Sequence, residues 1–202
     1  MNFSSLQKKK PLVINTKIII KVNNENFSLQ KSSLPIDNIL SITRLYFKKD
    51  NKKFGKYKAY TKIVLFDKKI IYSPETFETI IKNSCKKSKK IKNNSYNNNK
   101  SSLVFISTKF IVPKKNNKPY CRETNGKYCL TGSTRNTQII RSITRQEKKF
   151  GKYTAYTKII RNTKTLAYGK LRKTFYSQDS LENLIKNSSI SNSEQSDYYN
   201  MW

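Results

Sequence analysis

Tyrosine and lysine alternate in Lys58-Ala59-Tyr60-Thr61-Lys62, and the same spacing returns in Thr154-Ala155-Tyr156-Thr157-Lys158. Residues two apart on a strand share a face. A ring on that face can stack on any base, and an ammonium beside it can neutralise a phosphate. Arg44 and Arg145 stand out because lysine supplies most of the positive charge. An arginine offers a planar fork for phosphate or base edges that lysine cannot replace. A third group, Lys86, Lys87, Lys89 and Lys90, lies in a run with no acid and suits phosphate contacts. The expected nucleic-acid-binding residues are therefore Arg44, Lys58, Tyr60, Lys62, Arg145, Tyr156 and Lys158, with the four lysines of that run. Plainer roles exist for the same residues. A tyrosine between lysines is common in β proteins of this composition, and the arginines could make cross-strand salt bridges, although few acids lie near them in sequence.

Other chemistry finds little support. Histidine is absent, which removes the commonest general base and metal ligand. None of the five glycines sits in a phosphate-cradling loop. Cys85, Cys121 and Cys129 have no metal-ligand spacing and read as reduced, incidental thiols. Asp67, Glu75 and Glu78 form the only local acidic cluster, and the second half of the chain does not repeat it well. Glu78 and Glu182 do correspond, and read as solvated positions on helices. The expectation is a protein with no catalytic residues, no metal and no cofactor.

The elements that must position these residues occur twice. Phe-Gly-Lys-Tyr-x-Ala-Tyr-Thr-Lys-Ile stands at Phe54–Ile63 and at Phe150–Ile159. Ser41-Ile42-Thr43-Arg44 recurs as Ser142-Ile143-Thr144-Arg145, and the segment Tyr72–Ser84 recurs as Tyr176–Ser188. Each copy reads as strands followed by a helix. Leu12–Val22, Ile36–Phe47, Tyr57–Phe66 and Lys69–Ser73 have strand composition. Ser73 and Ser177 are expected helix caps, the former with Pro74 in the first turn. Phe77, Ile80 and Ile81, matched by Leu181, Leu184 and Ile185, make one apolar stripe. Alternation assigns Tyr57, Ala59, Thr61 and Ile63 to a packing face beneath the helix, and Lys58, Tyr60 and Lys62 to a wetter one.

These readings give an α+β fold, a tandem duplication of a small antiparallel β-sheet module with each copy closed by one C-terminal helix. Residues 1–84 form the first module and 85–102 a Lys/Asn-rich disordered linker. Residues 103–188 form the second module, and 189–202 a disordered tail. Within the second module Pro113–Gly126 reads as a mobile basic loop. The strand–strand–strand–helix end of each copy, with an arginine near its start and Lys-Tyr-x-Ala in its second strand, loosely resembles the AP2/integrase-type DNA-binding domain.

The net charge is +30, from 42 basic and 12 acidic residues in 202. A/T-rich codons account for part of this, since Lys, Asn, Ile, Tyr and Phe are all abundant. They do not account for the scarcity of acids, and a chain this cationic calls for a polyanion. The partner expected is nucleic acid, RNA ahead of DNA, with a ribosome or an organelle's RNA as the setting. A sheet-type DNA-binding protein is the first alternative. The second is an interaction or membrane-surface protein whose charge reflects codon bias. No stretch is long and apolar enough for a transmembrane helix, and no signal peptide is evident. The expected compartment is intracellular and reducing, in a plastid or mitochondrion or in the cytoplasm of an A/T-rich organism.

Overall fold

The computed structural model of this chain describes residues 11–23, 26–45, 52–84, 103–113, 127–163 and 171–191. The Ile-rich start forms β1 (Val13–Lys21), which pairs with β2 (Phe27–Pro35) as a hairpin. A one-turn 3-10 segment, Ile36–Asn38, leads to β3 (Ile39–Arg44). A small hairpin follows, β4 (Lys52–Phe54) with β5 (Tyr57–Ala59), and then β6 (Thr61–Leu65), β7 (Ile70–Ser73) and helix α1 (Phe77–Ser84).

The second half runs β8 (Leu103–Pro113), β9 (Tyr128–Asn136), a 3-10 turn at Thr137–Ile139, β10 (Ile140–Phe150) and β11 (Tyr153–Thr163). It ends with β12 (Leu171–Ser177), α2 (Leu181–Lys186) and β13 (Ser188–Ser191). The repeated Phe-Gly-Lys-Tyr is a hairpin turn. Phe54 opposes Tyr57 and Phe150 opposes Tyr153. Gly55 and Gly151 have φ of 57° and 58°, the left-handed conformation that a two-residue hairpin of type II′ requires at its first position and that glycine adopts without strain.

The expected α+β class, with modules each closed by a C-terminal helix, is overturned. Among the described residues there are thirteen strands and two helices of eight and six residues, so the fold is sheet-dominated. β3 and β10 pair antiparallel, which runs strands from both repeats into one nine-stranded sheet. Its order is β13-β8-β12-β11-β10-β3-β6-β7, with β9 also on β8. Nor does α2 end the second repeat, because β13 follows it and pairs with β8. The physical cause is an edge. The β3–β6–β7 sheet alone would leave one side of β3 with unpaired backbone groups, and β10 satisfies them.

Ile42 faces Ile143 at the centre of that junction. These two occupy the same place in their repeats, so an approximate two-fold axis passes between them. Both are fully buried, in one apolar cluster drawn from both halves that includes Ile14, Ile39, Ile63, Phe77, Ile80 and Ile81 with Ile106, Ile140, Ile159, Leu181, Leu184 and Ile185. Short helices on thin sheets could bury little separately; pooled, they close one core.

Several local expectations shift. Ser73 and Ser177 do not cap the helices. Their hydroxyls accept from the amides of Glu75 and Asp179 and meet Thr16 and Thr108. The caps are Ser180, which accepts from the amide of Asn183, and Thr76, which accepts from that of Thr79. Ala155 packs away from the helix, in a second cluster with Ile111 and Tyr153, against Tyr128, Leu130, Phe150 and Tyr176. The kink where β5 gives way to β6 explains this turn of the hairpin in the first repeat, as does the register shift between Arg145 and Lys148 in the second. Ser189–Ser191, assigned to a tail, belong to β13. Cys129, expected as a free thiol, is disulfide-bonded. The segment 85–102, with Lys86, Lys87, Lys89 and Lys90, lies outside the described residues, as do 114–126 and 192–202.

Replacing Ile143 with Ala should cost about 2–5 kcal/mol. Because the core is shared, denaturant unfolding followed at probes in both repeats should move together in one transition. Two separable transitions, with only the second displaced, would show independent modules instead.

Candidate nucleic-acid interface

The faces of the central sheet are set by β3 and β10. Ile42 and Ile143 point to the side carrying the helices, so Ser41, Thr43, Ser142 and Thr144 lie on the other side. There, register partners line up in two rows across six strands. One row is Tyr72, Lys62, Thr43, Ser142, Ile160 and Thr174; the other is Ile70, Val64, Ser41, Thr144, Lys158 and Tyr176. The two-fold axis exchanges them. Neither contains a carboxylate.

Inner-face residues such as Ile63, Ile143 and Thr157 are fully buried, whereas the outer rows are half-buried or exposed except for the two central serines. Lys62 and Lys158 thus share one surface, roughly 16 Å apart by a strand spacing near 4.8 Å and a rise of 3.4 Å per residue.

Aromatic groups close both ends. Phe54 meets Tyr72 at 5.0 Å between ring centroids and Phe27 at 5.4 Å. Phe150 likewise meets Tyr176 at 4.8 Å and Tyr128 at 5.3 Å. Lys52 Nζ stands 5.1 Å from the centroid of Tyr72, and Lys148 Nζ 5.0 Å from that of Tyr176. Each end therefore presents a tyrosine with its cation already in place. Lys58 packs over Tyr60 at 5.3 Å, and Tyr60 is half-buried at the kink between β5 and β6. Its counterpart Tyr156 is 49% exposed. Lys58, Tyr60, Lys62 and Lys158 are half-buried, and only Lys62 and Lys158 lie in the two rows.

Arg44 and Arg145 do not join this surface. Both extend from the helix side of β3 and β10 and cross the junction. Arg44 Nε donates to the carbonyl of Ile140 (3.2 Å) and Nη2 to that of Thr137 (2.9 Å). Arg145 Nε donates to the carbonyl of Ile39 (2.7 Å) and Nη2 to that of Ile36 (2.9 Å). Each is also salt-bridged to a helix of its own repeat, Arg44 to Glu78 and Arg145 to Glu182. Those glutamates, read as solvated, are only 20% and 25% exposed and complete a crossed clamp. The partners lie 34 and 37 positions away along the chain, which is why sequence proximity misses them. Burial holds the Arg145 guanidinium below the ordinary arginine value, an effect Asp37 opposes.

Sequence reasoning also leaves out Tyr72, Tyr176, Lys52 and Lys148. The signal for them is the repeated Tyr-Ser at the end of the short strand, which registers Tyr72 against Lys62 and Tyr176 against Lys158. Glu75 and Asp179 form a further matched pair, accepting from Thr16 and Thr108, while Thr61 and Thr157 donate to their carbonyls at 2.8 and 2.7 Å. These acids fasten the helix entrances to the sheet. No group of three His, Cys, Asp or Glu suited to a metal occurs among the described residues. No helix among them is long and apolar enough to cross a membrane. No protein family, no curated protein and no solved structure matches the chain.

Arg145→Lys keeps the charge and loses the fork, so it should destabilise the protein by about 1–3 kcal/mol in denaturant unfolding. A loss below roughly 0.5 kcal/mol would place the clamp among surface ion pairs of little consequence.

Proposed function

We propose that this chain is a non-enzymatic nucleic-acid-binding protein, and that it takes single-stranded RNA on the outer face of its central sheet. The observation carrying this reading is the pair of acid-free rows that place Lys62 and Lys158 on one surface between Tyr72 and Tyr176. Cations spaced along a flat face match a strand's phosphates, and tyrosines at its ends offer bases a platform. The hydroxyls of Thr43 and Thr144 add donors and acceptors between them. The net charge of +30 supplies the long-range attraction. Arg44 and Arg145 have no part in this proposal, because their guanidinium groups hold the two halves together. A non-enzymatic role is supported by a sequence without histidine and by acids engaged in structural bonds.

Duplex DNA is the second reading, and one observation favours it. The two-fold relation of the rows offers the same chemistry to two antiparallel strands, as symmetric DNA-binding surfaces do.

Fluorescence anisotropy against a labelled RNA strand and a DNA duplex, over a salt series, tests the proposal. Binding should weaken steeply with salt. Lys62→Ala with Lys158→Ala should flatten the slope of log K against log salt for the single strand by about 0.7 per lysine, while the fold stays intact by circular dichroism. An unchanged slope would remove the outer face from the interaction, and tighter binding to duplex would replace RNA with DNA.

A further inference from the structure

The two-fold symmetry breaks at one corner, on the helix side of the sheet. In the first repeat Ile18, Leu34, Leu65 and Ile71 occupy it, all packed on the common core. Their counterparts in the second repeat are Phe110, Arg135, Arg161 and Phe175, as the registers fix. Leu34 opposes Ile14 as Arg135 opposes Ile106, and Leu65 opposes Ile39 as Arg161 opposes Ile140. Two leucines have thus given way to two arginines.

Both guanidinium groups stack on one ring. The Cζ atoms of Arg161 and Arg135 lie 5.4 and 6.0 Å from the centroid of Phe175, and Arg135 is also 5.8 Å from Phe110. Neither has a carboxylate within salt-bridge distance among the described residues. Among the described residues, the buried side-chain polar atoms without a hydrogen-bond partner are Arg135 Nε, Arg161 Nε and Thr137 Oγ1. Two of the three are the guanidinium Nε atoms of this corner. Lys173 opposes Arg161 across the strands and is exposed, adding a third cation at the rim. Burial, followed by the charge of Arg161, lowers the Arg135 guanidinium from its ordinary value. Two stacked, half-buried cations with unsatisfied N–H groups are costly when nothing neutralises them.

We propose that Arg135 and Arg161 form an oxyanion site for a phosphate group, held between two guanidinium forks that Phe110 and Phe175 keep in place. A phosphate fits better than a carboxylate because two guanidinium groups stand on one ring and each fork can take two of its oxygens. The site is on the opposite face from Lys62 and Lys158 and stands independently of the binding proposed there. The phosphate has two possible sources, the backbone of a polynucleotide or a free phosphate such as an inorganic or nucleotide phosphate.

Thermal unfolding of the full chain in inorganic phosphate, against chloride at equal ionic strength, tests it. The natural protein should gain several degrees once phosphate exceeds its dissociation constant about a hundredfold. The variant Arg135→Leu with Arg161→Leu restores what the first repeat carries. It should melt at or above the natural protein in chloride and gain nothing from phosphate. Equal gains in both proteins, or none in the natural one, would overturn the site. Should the variant not fold, the Nε–Hε resonances of Arg135 and Arg161 in the natural protein serve instead: both should shift on adding phosphate, and stationary signals would refute the proposal. An RNA strand without terminal phosphates separates the sources. Binding weakened tenfold or more by the two leucines assigns a backbone phosphate, whereas unchanged RNA binding with a lost phosphate response assigns a free one. Failure here leaves the salt-slope result for Lys62 and Lys158 standing.

Discussion

The antiparallel pairing of β3 with β10 is the constraint on which the rest of this structure depends. It is short, with three residue pairs in register, yet it converts two narrow sheets into one broad one. Ile42 against Ile143 seals it from the core side. Arg44 and Arg145 seal it again by crossing, each bonding the strand start of the opposite repeat while its own helix supplies the counter-ion. A guanidinium can do both at once because its donors point in several directions within one plane. Lysine could not.

That junction divides the protein into two environments. The helix side is dry and shared, and its acids are committed to arginines and threonines. The other side inherits continuity, with a second apolar cluster around Tyr176 at one end. Residues far apart in the chain, Lys62 and Lys158, share one face of the sheet because the paired β3 and β10 lie between their strands. Symmetry then repeats each tyrosine and lysine at the far end. The corner at Arg135 and Arg161 departs from it: one repeat keeps aliphatic packing there and the other trades it for charge on aromatic rings. Such a trade weakens packing, which is the usual mark of a position shaped by something other than stability.

Much of the local architecture was legible. Strict alternation placed Thr61, Ile63, Thr157 and Ile159 inside, and helical spacing found Phe77, Ile80 and Ile81 with their partners Leu181, Leu184 and Ile185. The joining of the sheets was not legible, because Ser-Ile-Thr-Arg is equally suited to an edge or to a centre and nothing local says which. The ion pairs escaped for a related reason: Arg44 finds Glu78 only after the chain has formed four further strands and a helix. The helix caps were misplaced because Ser73 and Ser177 meet strand hydroxyls that a one-dimensional reading cannot bring near. Among the site residues, lysines on the outer rows followed from periodicity, whereas Tyr72 and Tyr176 needed cross-strand register.

Amide chemical-shift mapping with a short unstructured RNA strand tests the central claim most directly. Perturbed amides are expected in β3, β6, β10 and β11 around Lys62 and Lys158, spreading to Tyr72 and Tyr176, with α1 and α2 unmoved. Perturbations confined to the helices, or to residues outside the sheet, would contradict it.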